Sequence, residues 1–459
     1  MTSDTTPAGQ GPLTRRTVVA GATWSLPVIA AATATPAAAA STTQTLAFSS
    51  VPSNSIACTA TTAPITMTLT GGTVSNVPVR VTLPAGFRFR SGATGTYLTD
   101  GSGVATIPAG DVIAGPSTGT VTAAGGSAQT STSLPVRQTG VLQYGQGLAS
   151  VPENSGFVRT YSQGAGGNVS IKANGDVWQY TRAKSWEKIG TGASSEPDTA
   201  GMTQQNSDGS FNAHWIKNGV LQYYKGAATV PSNSGFVRTY SQGADGNVSV
   251  KANGDIWQYD GRNWNPIGTG ASTEPSAAGI TRDPAGVLKA VWIKNGVVQL
   301  GDGPAAVAGN SGFVRVYALG ERGAVAVKSN GDIWQYTPRR DTPWVRIGTG
   351  ASTEPSAAGF TQQQDGTVNV HWIKNGVLQY STGLASVEQN SGFVRTYGQG
   401  ADGNVSVKAN GDVWYFDRLA NRWRRIGTGA STEPSAAGLT LAQDGTVSAH
   451  WIKTTTACA

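Results

Sequence analysis

The residues of this chain that could do chemistry come in sets. Glu196, Glu274, Glu354 and Glu433 each precede a proline, Asp176, Asp255, Asp332 and Asp412 each follow an Asn-Gly pair, and Arg159, Arg238, Arg315 and Arg395 each follow Gly-Phe-Val. Two tryptophan sets recur with them: Trp178, Trp257, Trp334 and Trp414, then Trp186, Trp264, Trp344 and Trp423. The histidines, His214, His371 and His450, share one His-Trp-Ile-Lys context, with Val291 standing in the remaining copy. An active site usually breaks such symmetry, because one reacting atom needs one base or nucleophile set against it. No lone histidine, cysteine or carboxylate pair does so, and no zinc spacing, phosphate loop, nucleophile elbow or calcium loop is present. The expectation is a non-enzyme with no cofactor and no metal, whose recurring residues bind.

What each set could bind follows from its setting. The glutamates sit in loops of small polar residues with no evident reason to carry a charge, and loops are where scaffolds place function. The second tryptophans follow insertions of variable length, among them 181–185 and 417–422, and are expected to reach the surface, where an indole can stack on a sugar face. Trp186, Trp264, Trp344, Trp423, Glu196, Glu274, Glu354 and Glu433 are therefore the candidate ligand-binding residues. Trp178, Trp257, Trp334 and Trp414 alternate with Gln179, Gln258, Gln335 and Tyr415, so they share one sheet face and are expected to fill space between neighbouring sheets. The arginines, with Lys172, Lys251, Lys328 and Lys408, are expected to make ion pairs with the recurring carboxylates, or else to bind acidic sugars. The aspartates, beside hairpin turns, are expected to satisfy backbone donors.

These sets are positioned by a repeat. Phe157, Phe236, Phe313 and Phe393 recur at spacings of 79, 77 and 80, and the first tryptophans keep the same spacings. Each copy halves again, because Asn-Gly recurs at 174, 218, 253, 295, 330, 375 and 410. A half-unit of about 39 residues suits a blade of four short strands. Within one, Asn247-Val-Ser-Val-Lys-Ala252 alternates as a strand, Asn253-Gly254 turns a hairpin, Asp255 to Tyr259 returns, and Trp264 to Gly268 and Ala278 to Thr281 supply the third and fourth strands. The array opens in mid-unit at Gly140-Val-Leu-Gln-Tyr144 and ends at Val447 to Lys453, the fragment the first unit lacks. Pairing the two makes eight units and hides both sheet edges. The fold class predicted is all-β: a closed β-propeller over 136–459, with eight blades arranged as four tandem repeats (140–218, 219–295, 296–375, 376–453).

The motif Val-Ser-Val-Lys-Ala-Asn-Gly-Asp-Ile-Trp-Gln-Tyr, followed by Trp264 and Ile267-Gly268, resembles the tectonin and tachylectin-type propeller repeats. That resemblance implies binding of glycans or glycoconjugates on a cell surface through equivalent pockets, here expected as four. One rival reading is a structural or protein-binding scaffold, since propellers serve as rigid interaction platforms; another is a propeller hydrolase or quinoprotein, although no Asp-box pattern and no distinct metal and cofactor cluster are visible in the sequence.

Composition and termini complete the picture. With 61 glycines and 13% charged residues among 459, the chain suits more than one domain of short strands and turns. The formal charge of +7 is spread thinly, without a polybasic run, and gives little support to nucleic-acid binding. In residues 1–40, Arg15 and Arg16 precede an apolar stretch from Val18 to Ala32 and an Ala-rich exit. This resembles a twin-arginine leader cleaved after Ala40, leaving a secreted, monomeric chain without a membrane span, held at most noncovalently at a cell surface. Residues 41–135 lack the repeat's tryptophans. They carry alternating strands at Ile65 to Leu69, Val79 to Leu83 and Gly103 to Ile107, as a β-sandwich does. Thr99-Asp-Gly-Ser-Gly-Val-Ala-Thr106 resembles the bacterial Ig-like domains of surface adhesins. The two cysteines, Cys58 and Cys458, are expected to pair in an exported protein, stapling the last strand to the N-terminal domain.

Overall fold

The computed structural model describes residues 43–454 apart from short internal stretches, the longest being 205–209 and 363–367. The candidate leader and Cys458 lie outside the described residues. Among the described residues every regular element is a β-strand, and no helix is long and apolar enough to cross a membrane.

The N-terminal part is built as its alternation requires. Ile65, Met67 and Leu69 are buried while Thr66 and Thr68 face outward, so the strand Ile65–Thr70 gives one face to a core. It pairs with Thr45–Ser50 and Val104–Ile107 in one antiparallel sheet. A second sheet, ordered Ala128–Leu134, Gly119–Gly125, Pro78–Thr82 and Thr96–Leu98, closes over the same core with Val79, Val81, Val121 and Leu134.

Among the described residues the array consists of six four-stranded antiparallel sheets, each running in sequence order, and one eight-stranded sheet where its two ends meet. One sheet runs Phe236–Ser241, Asn247–Lys251, Ile256–Tyr259, Trp264–Gly268, and the next Ala278–Arg282, Leu288–Lys294, Val297–Leu300, Gly303–Pro304. This corrects the predicted phase of the unit. Ala278 to Thr281 is not a fourth strand but the first of the following sheet, and the missing strand is Phe-Val-Arg-Thr-Tyr-Ser before Asn247. The boundary falls at the Gly, Ser and Pro-rich loop after Gly268, where the backbone is least able to continue a ladder.

The chain ends meet as the half-units at either end require. Gly140–Tyr144 pairs antiparallel with Val447–Thr454, with Val141 opposite Lys453, Leu142 opposite Ile452 and Gln143 opposite Trp451. Ala437–Leu441 and Gly147–Leu148 complete this four-stranded group, which continues into the sheet of Phe157–Ser162 through one pair, Gly140 with Phe157. The first strands form a circuit: Phe157–Ser162, Ala200–Gln204, Phe236–Ser241, Ala278–Arg282, Phe313–Ala318, Ala358–Gln362, Phe393–Gly398 and Ala437–Leu441 each neighbour the next, and the last neighbours the first.

Two features hold successive sheets together. The recurring Ile-Gly exists because an indole lies where its Cβ would be: a methyl on Gly268 would meet Trp292 Cζ2 at 2.7 Å, and Gly190, Gly348 and Gly427 stand likewise against Trp215, Trp372 and Trp451. The second is a buried polar layer. Asn168 Nδ2 lies 2.7 Å from His450 Nε2 and donates to Thr160 Oγ1, while Ser170 Oγ donates to Asn168 Oδ1. For the amide to donate, Nε2 must be the unprotonated nitrogen, so the proton sits on Nδ1, which donates to Thr440 Oγ1 at 3.1 Å. His371 and His214 face Thr361 and Thr203 in the same way. Thr239, Ser249 and Asn247 repeat the cluster, as do Thr396, Ser406 and Asn404. In the remaining copy four polar members change together, while Thr281, in the place of Thr203, Thr361 and Thr440, stays and donates to the Gly320 carbonyl. Val291 replaces histidine, and Val316, Ala324 and Ala326 fill the places of threonine, asparagine and serine in one apolar cluster. A half-satisfied buried network is worse than an apolar one, which accounts for the joint change.

Candidate interaction face

The second tryptophans do not reach the surface. Trp186, Trp264, Trp344 and Trp423 are 7–9% exposed, and the expectation that variable insertions would carry them outward is corrected by the strand register. Trp264 lies directly across from Tyr259, Trp344 from Tyr336 and Trp423 from Phe416, with Trp186 beside Tyr180 and ring centroids 5.1–5.6 Å apart throughout. Cross-strand aromatic pairs on one face bury both rings, whatever the length of the turn joining them.

The first tryptophans also fill space, but with an unexpected cation. Lys172 Nζ sits 5.2 Å above Phe157 and 5.3 Å above Trp178, and donates to the Glu153 carbonyl at 2.6 Å. Lys251, Lys328 and Lys408 repeat this over Phe236 and Trp257, Phe313 and Trp334, and Phe393 and Trp414. These lysines are thus held by ring faces and carbonyls, where carboxylates were expected. The Asn-Gly aspartates were expected to accept from backbone donors; instead their carboxylates accept from the Asn side-chain amide, whose oxygen takes the Asp backbone N–H. Three also pair across strands: Asp176 with Lys188 at 2.8 Å, Asp332 with Arg346 at 2.6 Å and Asp412 with Arg425 at 2.5 Å. At Asp255 the cross-strand place is taken by Pro266.

One face of the array remains, formed by the Glu-Pro loops. Each arginine of the Phe-Val-Arg set joins two of these loops. Arg315 Nε donates to the Thr353 carbonyl and its Nη1 to the Pro275 carbonyl of the preceding loop; Arg159, Arg238 and Arg395 bridge the corresponding carbonyls. Tyr161, Tyr240, Tyr317 and Tyr397 donate from their hydroxyls to the carbonyls of Glu196, Glu274, Glu354 and Glu433. The loop backbone is therefore fixed, while the carboxylates extend from it. Arg315 and Glu274 are 3.9 Å apart, Arg395 and Glu354 3.8 Å, Arg159 and Glu433 3.6 Å. The side chains of Glu274 and Glu354 are 69% and 67% exposed, so these pairs hold little energy.

Beside three of these loops, those of Glu196, Glu274 and Glu354, opens a cleft. The largest, about 770 Å³, lies between Glu274, Arg315, Glu354 and the two Asn-Gly turns at Gly254 and Gly296, with Phe313 as its floor. Equivalent clefts adjoin Glu354 at Gly350 and Glu196 at Gly192. Their walls mix small residues such as Gly254, Gly270 and Ser272 with apolar side chains such as Ile293 and Val314.

The first loop differs from the others. The boundary expected at 136 is corrected, because Val136–Arg137 pairs in parallel with Ser55–Ile56 and so belongs to the N-terminal part. From that strand Arg137 donates to Glu196 Oε1 at 2.8 Å and to the Ser195 hydroxyl. Burial alone would raise the Glu196 carboxyl, but the bond and charge of Arg137, with Arg159 and Arg238 behind it, hold it below its usual value. Arg238 then has no ion pair with Glu196 among the described residues, and a second carboxylate, Asp198, stands in the same loop. It accepts from the Ser276 amide at 2.7 Å and from Ser435 Oγ. Burial raises Asp198 above its usual value, against the pull of that amide and of Arg238. The other loops read Ser there, at 276, 356 and 435. Asp198 is thus the carboxylate that breaks the fourfold pattern, and aligning the four loops residue by residue would have revealed it. Arg137 carried no such signal, lying outside the repeat.

No family model matches this chain, and no curated protein does. Among solved structures it is similar to the computationally designed Ika8 protein (15% identity, TM-score 0.38, 63% of this chain and 97% of that one). It is also similar to YCF48 from Cyanidioschyzon merolae (14%, 0.34, 68% and 98%). A third is a quinonprotein alcohol dehydrogenase-like protein from Bacteroides thetaiotaomicron (11%, 0.31, 72% and 92%). Likeness at this level carries no information on function.

Proposed function

We propose that residues 140–459 form a closed eight-bladed β-propeller that acts as a non-catalytic interaction scaffold, exported from the cell and carrying an Ig-like domain docked through Arg137. One observation carries the functional part. The recurring tryptophans that would stack on sugars are buried, whereas the recurring groups that meet solvent are carboxylates on rigid loops beside open clefts. Protein surfaces present hydrogen-bonding backbone and basic side chains to such a face. A Cys58–Cys458 bridge belongs to the same proposal, since it would tie the end of the closing strand to the first domain.

The lectin reading shares the recurrence of equivalent clefts but lacks an exposed aromatic platform in the set expected to supply it. A glycan array probed with the chain lacking residues 1–40, followed by calorimetry on any hit, separates the two. The scaffold reading predicts a blank array from a folded protein. Saturable saccharide binding at about four sites per chain would overturn it in favour of the lectin.

A further inference from the structure

The chain itself shows what one Glu-Pro loop holds. At Glu196 the occupant is a guanidinium, delivered by an extended strand, Val136–Arg137, and gripped by a carboxylate and a hydroxyl at once. That strand belongs to the N-terminal part, so the contact joins two separately built pieces of the molecule. The loops 272–276, 352–356 and 431–435 each read Ser-Thr-Glu-Pro-Ser, keeping a hydroxyl in the place of Ser195 and the carboxylate in the place of Glu196. Glu274 and Glu354 have the same backbone anchors as Glu196, yet only a distant arginine at 3.9 and 3.8 Å, and both stand mostly in solvent. Glu433 is less available, at 38% exposure and 3.6 Å from Arg159.

We propose that the Glu274 and Glu354 loops bind arginine side chains presented by an extended segment of a partner protein, as the Glu196 loop binds Arg137. Arginine fits better than lysine, because its planar fork reaches a carboxylate and a neighbouring hydroxyl together while an ammonium is a single point. The inference rests on the reading of this face as an interaction face and names the chemistry of what it takes.

The probe is a capped peptide of residues 133–140, Ser-Leu-Pro-Val-Arg-Gln-Thr-Gly, labelled and titrated into the full chain by fluorescence anisotropy and calorimetry. The expected result is saturable binding at two sites. It should weaken about tenfold or more when the peptide's arginine is replaced by alanine, and by a similar factor in the Glu274→Gln/Glu354→Gln chain, as loss of a charged hydrogen bond requires. Lysine in the peptide should restore part of the loss, and the Arg137→Ala chain should gain a third site. The glutamates are exposed, so the glutamine chain is expected to melt like the parent, which excludes unfolding as the cause. Absence of binding, or binding indifferent to Glu274 and Glu354, would overturn the proposal. With a blank glycan array that failure would leave the scaffold standing and remove only this partner class, whereas four saccharide sites would remove the scaffold reading itself.

Discussion

Between pH 7 and pH 5 the array is expected to lose about 6 kcal/mol of unfolding free energy, or about 2 kcal/mol for each of three buried histidines. Burial pushes His214, His371 and His450 down from 6.5 to about 3, since each imidazole is fully enclosed and its charged form would lose its hydration; at His450 the Asn168 amide against Nε2 also requires the neutral ring. A folded value below the unfolded one means the unfolded chain takes up protons first. The contribution is present in full above 6.5, falls as pH drops below it, and is exhausted near 3. Asp198, raised by burial, opposes this trend at acid pH, but it is one group against three. Urea unfolding of the array followed across this range checks the slope. The copy without a histidine supplies the control: His214→Val combined with Thr239→Val, Asn247→Ala and Ser249→Ala copies the apolar layer around Val291 and should remove about a third of the pH dependence. A slope unchanged by that replacement would refute the assignment.

The second large effect concerns the tryptophans. Trp264→Ala is expected to lower stability by about 3–5 kcal/mol, the range for truncating a large buried aromatic. Trp264 is 9% exposed and packs 5.3 Å from Tyr259, so its removal leaves a cavity between two sheets. Glu274→Gln, in a mostly exposed side chain 3.9 Å from its arginine, should change stability by less than about 1 kcal/mol. Urea midpoints of the two variants measure the contrast. Near-parent stability for Trp264→Ala, joined to loss of a ligand, would instead make this indole a binding platform.

The repeat, its halving and the meeting of Gly140–Tyr144 with Val447–Thr454 were legible in the sequence, because identical residues at constant spacing and a unit split between the two ends are visible without coordinates. The phase of the sheets was not. Asn-Gly is a strong turn signal, so strands were counted outward from it, and Phe-Val-Arg-Thr-Tyr-Ser, buried at many successive positions, shows no alternation to mark it as a strand. The second tryptophans were misplaced for a related reason. Variable insertions suggest a loop, but the pairing of Trp264 with Tyr259 is fixed by the ladder, which the insertions leave intact. The lysines went to carboxylates on charge alone, where ring faces and carbonyls were nearer in space. Within the Glu-Pro loops the fourfold pattern drew attention to what recurs and away from Asp198 and Arg137, which do not recur.

The Glu-Pro loops share one fixed face only if the array closes on itself within one chain. The most direct measurement is a cross-link in the closing ladder: Val141→Cys and Lys453→Cys, which face each other across the two strands, placed in a Cys58→Ser/Cys458→Ser chain and oxidised in dilute solution. Closure predicts a fast intramolecular disulfide, seen as a monomer with altered mobility on a non-reducing gel and as the Val141–Lys453 linked peptide by mass spectrometry. Failure to link, or linkage only between molecules, would contradict a ring sealed by its own ends.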